Sequence, residues 1–120
     1  MVTILTVDDT ASMRQMISYT LSSVGYDVVQ ASDGVEALKL AQERKVDLVI
    51  ADVNMPNMDG ISLVKSLRAL GDYRFTPILM LTTESQQTQR DQGRSAGATG
   101  WIVKPFNPEQ LINIVRKVLG

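Results

Sequence analysis

Five short apolar runs, separated by longer segments of helical periodicity, constrain the fold of this chain more than any other feature of its sequence. The first, third and fourth runs are rich in valine, isoleucine, leucine and methionine, as is typical of parallel strands covered on both faces. Strands that alternate with single helices predict right-handed crossovers and a parallel sheet. The predicted strands are residues 3–7, 27–31, 47–51, 77–81 and 101–103.

Helix signals fill the segments between these runs. Asp33 and Glu36 form a capping-box pattern, and Asn107 precedes Pro108 at the expected start of the last helix. Gly25 is placed to end the first helix in the left-handed conformation. Apolar residues recur at helical spacing in most of these segments: Met13, Met16 or Ile17, Leu21 and Val24; Val35, Leu38 and Ala41; Leu63, Leu67 and Leu70; and Leu111, Ile114 or Val115, and Val118.

The remaining segment, residues 85–95, is rich in Gln, Thr and Arg and has no large apolar side chain. A helix there has little apolar surface to bury, so we expect it to be weakly attached to the sheet and adjustable in position. The sequence therefore predicts a single α/β domain over residues 1–120, built from five strand–helix units, (βα)5.

Composition excludes several kinds of site. The 120 residues include no cysteine and no histidine, which removes disulfides, zinc–thiolate sites, imidazole bases and Ser-His-Asp triads. A formal net charge of −1 gives no reason to expect nucleic acid or an anionic membrane as a partner. No apolar run approaches the roughly 20 residues of a membrane span, and the first residues lack the features of a signal peptide. We therefore expect a cytoplasmic protein.

Charged and hydroxyl side chains stand at the carboxyl ends of four predicted strands, where open parallel sheets bind their ligands. Three ionised carboxylates close together would raise one another's pKa. A lysine and a divalent cation would balance their charge, and oxygen ligands favour a hard cation, Mg2+ or alternatively Mn2+. A carboxylate beside such a cation and a lysine is placed to attack phosphorus and form an aspartyl-phosphate. These strand ends carry Asp8-Asp9, Asp52, Thr82-Thr83 and Lys104-Pro105.

The same positions resemble the receiver domains of two-component signalling, and the resemblance extends over the whole chain. Residues 52–60 and 97–106 are especially similar to the single-domain chemotaxis response regulators. Because the matched positions lie at several strand ends, the resemblance is more specific than any one short motif. It implies a doubly wound, flavodoxin-like sheet with strand order 2-1-3-4-5, and a phosphorylation switch rather than an enzyme.

The resemblance also implies a role for each matched residue. Asp52 would be the phosphoacceptor, Thr82 and Lys104 would bind phosphoryl oxygens, and a cis Lys104–Pro105 bond would orient the lysine. Trp101 stands where an aromatic residue commonly turns inward with the threonine, although a half-buried strand tryptophan is an equal alternative. The implied metal ligands are Asp8 (through water), Asp9, Asp52 and the backbone carbonyl of Asn54; the loop-supporting residues are Pro56, Gly60, Thr83 and Pro105; and the residues that tune dephosphorylation are Asn54 and Glu84.

Two other functions fit the residues less well. A phosphatase of the haloacid-dehalogenase type also forms an aspartyl-phosphate, but it needs a second aspartate two residues after the nucleophile, where this chain has Asn54. Flavin binding on this topology needs a hydroxyl- and glycine-rich phosphate loop after the first strand. Asp8 and Asp9 instead present two negative charges there.

The expected partners are a histidine kinase, as the phosphoryl donor, and a target protein bound at the face formed by residues 85–95, the fifth strand and the last helix. The target is the flagellar motor switch, or else the chain is a phosphorelay intermediate or a kinase-tuning adaptor. Chemotaxis regulators usually present basic residues to the motor, whereas Ser85, Gln86 and Gln87 are neutral. Because the last helix ends the chain at Gly120, we expect no output domain, and we expect a monomer.

Overall fold

A five-stranded parallel sheet forms the centre of the molecule. The computed structural model describes residues 1–55, 57–83, 91, 94 and 96–120. Numbered in chain order, the strands lie side by side in the order 2-1-3-4-5, which confirms the order that the family resemblance implied. The predicted bounds of the first two strands are correct. The third and fourth strands begin one residue later than predicted and the fifth one residue earlier, and all three extend one or two residues further at their carboxyl ends. The strands are β1 (Thr3–Val7), β2 (Asp27–Ala31), β3 (Leu48–Asp52), β4 (Ile78–Thr83) and β5 (Gly100–Lys104).

Helices cover both faces of this sheet. A short 3-10 turn, Gly71–Tyr73, precedes β4. The helix predicted over residues 85–95 lies largely outside the described residues, although Asp91, Arg94 and Ala96 are helical. None of the described helices combines the length and the apolar character needed to cross a bilayer. The described helices are α1 (Ala11–Ser22), α2 (Gly34–Glu43), α3 (Gly60–Ala69) and α4 (Pro108–Leu119).

The two faces of the sheet carry separate apolar cores, because successive side chains of a strand point to opposite faces. In β1, Leu5 and Val7 belong to the core under α2 and α3, whereas Ile4 belongs to the core under α1 and α4. All three side chains are fully buried. Each such side chain contributes about 1.5–3 kcal/mol through its burial. The cores therefore hold β1 and β3 rigidly at the centre of the sheet, and their carboxyl ends are fixed with them.

The predicted helix caps are present, with one difference of detail. Asn107 and Gln110 form a complete capping box at the start of α4, and Gly25 has a φ of 99° after α1. Asp33 caps α2 by accepting from the backbone N–H of Glu36 at 2.8 Å. The Glu36 carboxylate, however, accepts from the backbone N–H of Ser32, one residue before the cap.

One predicted core position in α2 is wrong. Val35 is 54% exposed, although its spacing from Leu38 and Ala41 predicted an inward position. The buried side of this helix consists of Gly34, Ala37 and Ala41. Small residues face the sheet because the helix packs closely against its neighbours, and at Gly34 no side chain would fit.

Arg68 joins three segments that are distant in the chain. Its guanidinium donates from Nε and Nη2 to the carbonyl oxygen of Gly97, at 3.1 and 2.9 Å, and from Nη1 to the carbonyl of Thr76 at 2.7 Å. Gly97 has a φ of 112°, and a Cβ atom there would lie 3.2 Å from the Arg68 side chain. The arginine therefore fixes the backbone that leads into β4 and β5, the two strands that end in Thr83 and Lys104.

Candidate functional site

Three carboxylates converge at the carboxyl edge of the sheet. Asp8 directly follows β1, Asp52 is the last residue of neighbouring β3, and Asp9 lies beside them. One oxygen from each carboxylate lies within 4.8 Å of the others. Asp8 is fully buried and Asp52 is 8% exposed, whereas Asp9 is exposed. The sequence predicted this convergence, because adjacent parallel strands end at the same edge.

Asp8 gives the strongest sign that the cluster is suited to a cation. Its Oδ1 accepts from the backbone N–H of Thr10 at 2.8 Å, whereas its buried Oδ2 has no hydrogen-bond partner among the described residues. Burial raises the pKa of Asp8, and the charge of Asp52 adds to the rise, which Thr10 and Lys104 partly offset. A buried anionic oxygen without a partner is costly. The donor set, which consists entirely of oxygen, therefore fits a hard divalent cation such as Mg2+.

Lys104 is paired directly with Asp52. Its Nζ donates to Asp52 Oδ2 at 2.8 Å, and the two side chains are only 24% and 11% exposed. The Lys104–Pro105 peptide bond is cis, as predicted. The other oxygen, Asp52 Oδ1, accepts from the backbone N–H of Asn54 at 3.3 Å. The ammonium group is therefore held directly against the Asp52 carboxylate.

Thr82 lies near the carboxyl end of β4, in register with Val103, and Trp101 lies three residues before Lys104 on β5. Thr82 is 1% exposed, and its hydroxyl donates to the carbonyl of Thr83 at 3.2 Å. Thr83, exposed at the strand end, pairs in register with Lys104. Trp101 is half-buried and contacts the core under α2 and α3. On the surface, Trp101 and Lys104 help to line a cavity of about 330 Å³.

The remaining predicted residues belong to the loops around Asp52. Gly60 begins α3 directly beside Asp52, where a Cβ atom would lie 2.2 Å from the Asp52 carbonyl oxygen. Pro105 follows Lys104 through the cis bond. Pro56 and Glu84, predicted to support the loop and to tune dephosphorylation, lie outside the described residues.

Sequence reasoning missed two residues that contact the site or its loops. Arg14, the fourth residue of α1, donates from Nη1 to the backbone carbonyl of Asp8 at 2.5 Å. Asn57 donates from Nδ2 to Asp33 Oδ2 at 3.0 Å and so connects the loop after β3 to the start of α2. A basic residue six positions after Asp8 was a weak signal for the first contact. Chain spacing gave no signal for the second, which spans 24 residues.

Comparison with protein families identifies this arrangement. The model of the response regulator receiver domain matches residues 4–116, which is nearly the whole chain. The chain belongs to the response regulator receiver family. Receiver domains of this family are signalling switches of two-component systems rather than classical enzymes.

Several relatives cover almost the entire receiver. Chemotaxis protein CheY1 of Helicobacter pylori strain J99 is 43% identical over 119 residues, which cover 98% of this chain and 96% of CheY1. The chemotaxis response regulator CheY4 of Vibrio cholerae is 52% identical, with a TM-score of 0.94 and coverage of 98% of both chains. Relatives named as transcriptional regulators are 41–42% identical, and this chain spans about half of their length.

A further solved structure bears on the metal. The receiver domain of sensor histidine kinase PA1611 from Pseudomonas aeruginosa PAO1 was solved with a magnesium ion coordinated in the active site cleft. It is 31% identical to this chain, has a TM-score of 0.91, and the match covers 98% of this chain and 97% of that domain. The family therefore includes receivers that bind magnesium, and the acidic cluster described above is where this receiver has suitable ligands.

Proposed function

We propose that this receiver accepts a phosphoryl group on Asp52 in a reaction that depends on Mg2+, and that the modification switches its binding to a partner protein. One observation carries the proposal. The Asp52 carboxylate lies 2.8 Å from the Lys104 ammonium group and within 4.8 Å of the oxygens of Asp8 and Asp9. Next to such a carboxylate, the ammonium group and a cation bound at the acidic cluster can neutralise the negative charge of phosphoryl oxygens.

The proposed metal ligands are Asp9, Asp52 and the backbone carbonyl of Asn54, with Asp8 acting through a water molecule. The unpartnered Oδ2 of Asp8 supports its inclusion. When bound, Mg2+ supplies positive charge that offsets the carboxylates and the phosphoryl oxygens. Mn2+ meets the same requirement for oxygen ligands.

The transfer itself needs little from the protein beyond positioning. An oxygen of Asp52 attacks the phosphorus atom of a phosphohistidine on a kinase, and the phosphorus–nitrogen bond breaks as the phosphorus–oxygen bond forms. The imidazole nitrogen leaves with the bonding electrons. Acetyl phosphate reacts in the same way with acetate as the leaving group. Lys104 then exchanges its contact with the carboxylate for a contact with a phosphoryl oxygen.

The switch would follow from the charge that the phosphoryl group adds, about −1.5 to −2. Lys104 and the Thr82 hydroxyl move toward that charge, and the end of β4 moves with Thr82. We propose that Trp101 responds to this shift, and that the target binds where Trp101 and α4 border the 330 Å³ cavity. Hydrolysis of the aspartyl-phosphate resets the switch, and Asn54 and Glu84 are the side chains proposed to tune its rate.

Chemotaxis is the process that we propose for this cytoplasmic switch, with control of the flagellar motor as its output. The coverage of the chemotaxis relatives supports this choice, because CheY1 and CheY4 match over nearly their whole lengths. A phosphorelay intermediate or a kinase-tuning adaptor is the alternative, favoured by the neutral residues Ser85, Gln86 and Gln87. Binding of the phosphorylated chain to a motor-switch peptide, compared with phosphoryl transfer to a histidine phosphotransferase domain, separates the two.

Intact-mass measurement after incubation with acetyl phosphate and Mg2+ tests the phosphorylation itself. We expect the native chain to gain one phosphoryl group, and we expect no gain in Asp52→Asn or in the presence of a chelator. If the native chain gains nothing while Trp101 fluorescence still reports Mg2+ binding, the chain is a receiver that acts by docking alone, and the proposed switch is wrong.

A further inference from the structure

We propose that Asp33 and Asn57 form a positioning pair that holds the loop after β3 in the geometry that the metal site requires. The proposal rests on the Mg2+ site described above and assigns a task to two residues outside it. Asn57 lies three residues beyond Asn54, whose carbonyl is a proposed ligand. Asp33 lies in another loop and reaches Asn57 through a contact at 3.0 Å.

Asp33 is a fixed anchor for this contact. Its Oδ1 caps α2 by accepting from the backbone N–H of Glu36 at 2.8 Å, which leaves Oδ2 directed toward Asn57. The two hydrogen bonds lower the pKa of Asp33, so the carboxylate is ionised at neutral pH. Because the ionised Asp33 carboxylate is held in place at the start of α2, it gives Asn57 Nδ2 a hydrogen-bond acceptor in a defined position.

Asn57 has a backbone conformation that needs support. Its φ is 68°, in the left-handed region that side chains other than glycine rarely adopt, and asparagine is among the few that tolerate it. The next residue, Met58, packs so closely against Gly34 that a Cβ atom on Gly34 would lie 2.8 Å from the Met58 backbone oxygen. The middle of the loop is therefore attached to the start of α2 by a hydrogen bond and by close packing.

The far end of the same loop is attached to the sheet. The backbone N–H of Gly60 donates to the carbonyl of Val53 at 2.9 Å, and Gly60 itself abuts the Asp52 carbonyl. Asn54 lies between this closure and the attachment at Asn57. Removing either side chain of the pair should therefore free the Asn54 carbonyl to move, while both apolar cores stay intact.

Two substitutions isolate the pair from other effects. Asn57→Gly removes the side chain but keeps a residue that accepts positive φ. Asp33→Ser removes the contact with Asn57 but keeps a good capping residue on α2. Asp59→Ser is the matched control. Asp59 also caps a helix, accepting from the backbone N–H of Ser62 at 2.7 Å, and its replacement by serine removes the same charge as Asp33→Ser does.

Titration with MgCl2, followed by the fluorescence of Trp101, the single tryptophan, measures the Kd of each variant. We expect Asn57→Gly and Asp33→Ser each to raise the Kd by about tenfold, the effect typical of removing a partner that orients metal ligands. The double variant should bind no more weakly than the weaker single variant, since the two side chains act as a unit. Asp59→Ser should show no comparable loss.

Hydrogen exchange without metal provides a second readout. The amide of Asn54 should exchange faster in both single variants than in the native chain and in Asp59→Ser. Unchanged Kd values and exchange rates in the single variants, fully additive losses, or an equal loss in Asp59→Ser would each overturn the inference. Failure of the native chain itself to bind Mg2+ would instead overturn the proposed function, and the inference with it.

Discussion

Gly60 and the backbone of Asp52 are so close that a Cβ atom on Gly60 would lie 2.2 Å from the Asp52 carbonyl oxygen. The same atom would lie 2.6 Å from the methyl group of Met80. The glycine is therefore required for close packing, and this contact fixes the start of α3 against the strand that carries the proposed phosphoacceptor.

Gly60→Ala should destabilise the fold by about 1–3 kcal/mol, the usual cost of forcing extra volume into a packed interior. The midpoint of urea unfolding measures the change. Gly71→Ala is the matched control, because a Cβ atom there meets nothing within 4 Å. The urea midpoint of this variant should equal that of the native chain or lie slightly above it. Equal midpoints for the two variants would show that the backbone at Gly60 moves aside without cost.

Lys104→Met should strengthen the binding of Mg2+ by about tenfold, because one positive charge near a site contributes on the order of 1–3 kcal/mol at an effective dielectric constant near 20. The ammonium group lies 2.8 Å from Asp52 and competes with the cation for that carboxylate. Lys45→Met makes the same change in charge and size at an exposed lysine near the opposite edge of the sheet, and its Kd should match that of the native chain. The Kd values come from MgCl2 titration at low salt. A weaker affinity in Lys104→Met would mean that the lysine organises the site rather than repelling the cation.

Asp8→Asn should stabilise the metal-free protein by about 1–2 kcal/mol, since it removes a buried charge whose Oδ2 has no described partner. Burial raises the pKa of Asp8 in the folded state above its unfolded value of 3.8. As the pH rises through the window between these two values, the folded chain holds the extra proton, so stability falls. The free-energy cost of burying the ionised carboxylate persists at neutral pH, and Asp8→Asn does not carry this cost.

Urea unfolding of both proteins in chelator, from pH 3.5 to pH 7, measures this difference. Subtracting the two curves removes the contributions of other carboxylates, such as Asp33, whose lowered pKa gives the opposite slope. We expect the advantage of Asp8→Asn to grow with pH and then level off. Addition of MgCl2 should reverse the order, because only the native cluster gains the full stabilisation by a bound cation. A variant less stable than the native chain at neutral pH without metal would contradict the account of Asp8.

The sheet and the acidic cluster could be predicted because they depend on patterns that repeat along the chain. A buried parallel strand needs a continuous apolar run, and neighbouring strands place their ends at one edge, so Asp8 and Asp52 had to meet. The helix starts at Asp33 and Asn107 could also be predicted from the sequence, because a cap is a contact between residues only three positions apart.

Contacts between distant loops could not be predicted in this way. The pair Asp33 and Asn57, and the reach of Arg68 to Gly97, depend on the distances between elements after folding. Gly60 was predicted for its loop, but its steric role depends on how α3 approaches β3. Val35 was misassigned because helical spacing defines a stripe of residues, and the rotation of that stripe toward the sheet is set by packing.

Tyr73→Phe should destabilise the protein by about 1–3 kcal/mol at neutral pH, the cost of leaving buried backbone groups without partners. The Tyr73 hydroxyl lies 2.6 Å from the carbonyl oxygen of Ala41 and 3.0 Å from that of Arg44, and it accepts from the backbone N–H of Val46 at 3.3 Å. It thus connects the end of α2 to the turn before β4. Tyr19→Phe is the matched control, since Tyr19 is 79% exposed, and it should leave stability unchanged.

The dependence of folding stability on pH under alkaline conditions gives a further check on Tyr73. Burial raises the pKa of its hydroxyl above the ordinary value of 10. Because the folded chain then holds the proton more tightly than the unfolded chain, the stability that this group contributes is present below pH 10 and is lost as the pH rises through the folded pKa. Native protein and Tyr19→Phe should therefore lose stability above pH 10 more steeply than Tyr73→Phe, in urea unfolding at pH 7, 10 and 11. Parallel losses in all three proteins would show that the hydroxyl titrates as an exposed tyrosine does, and that it does not hold these two elements together.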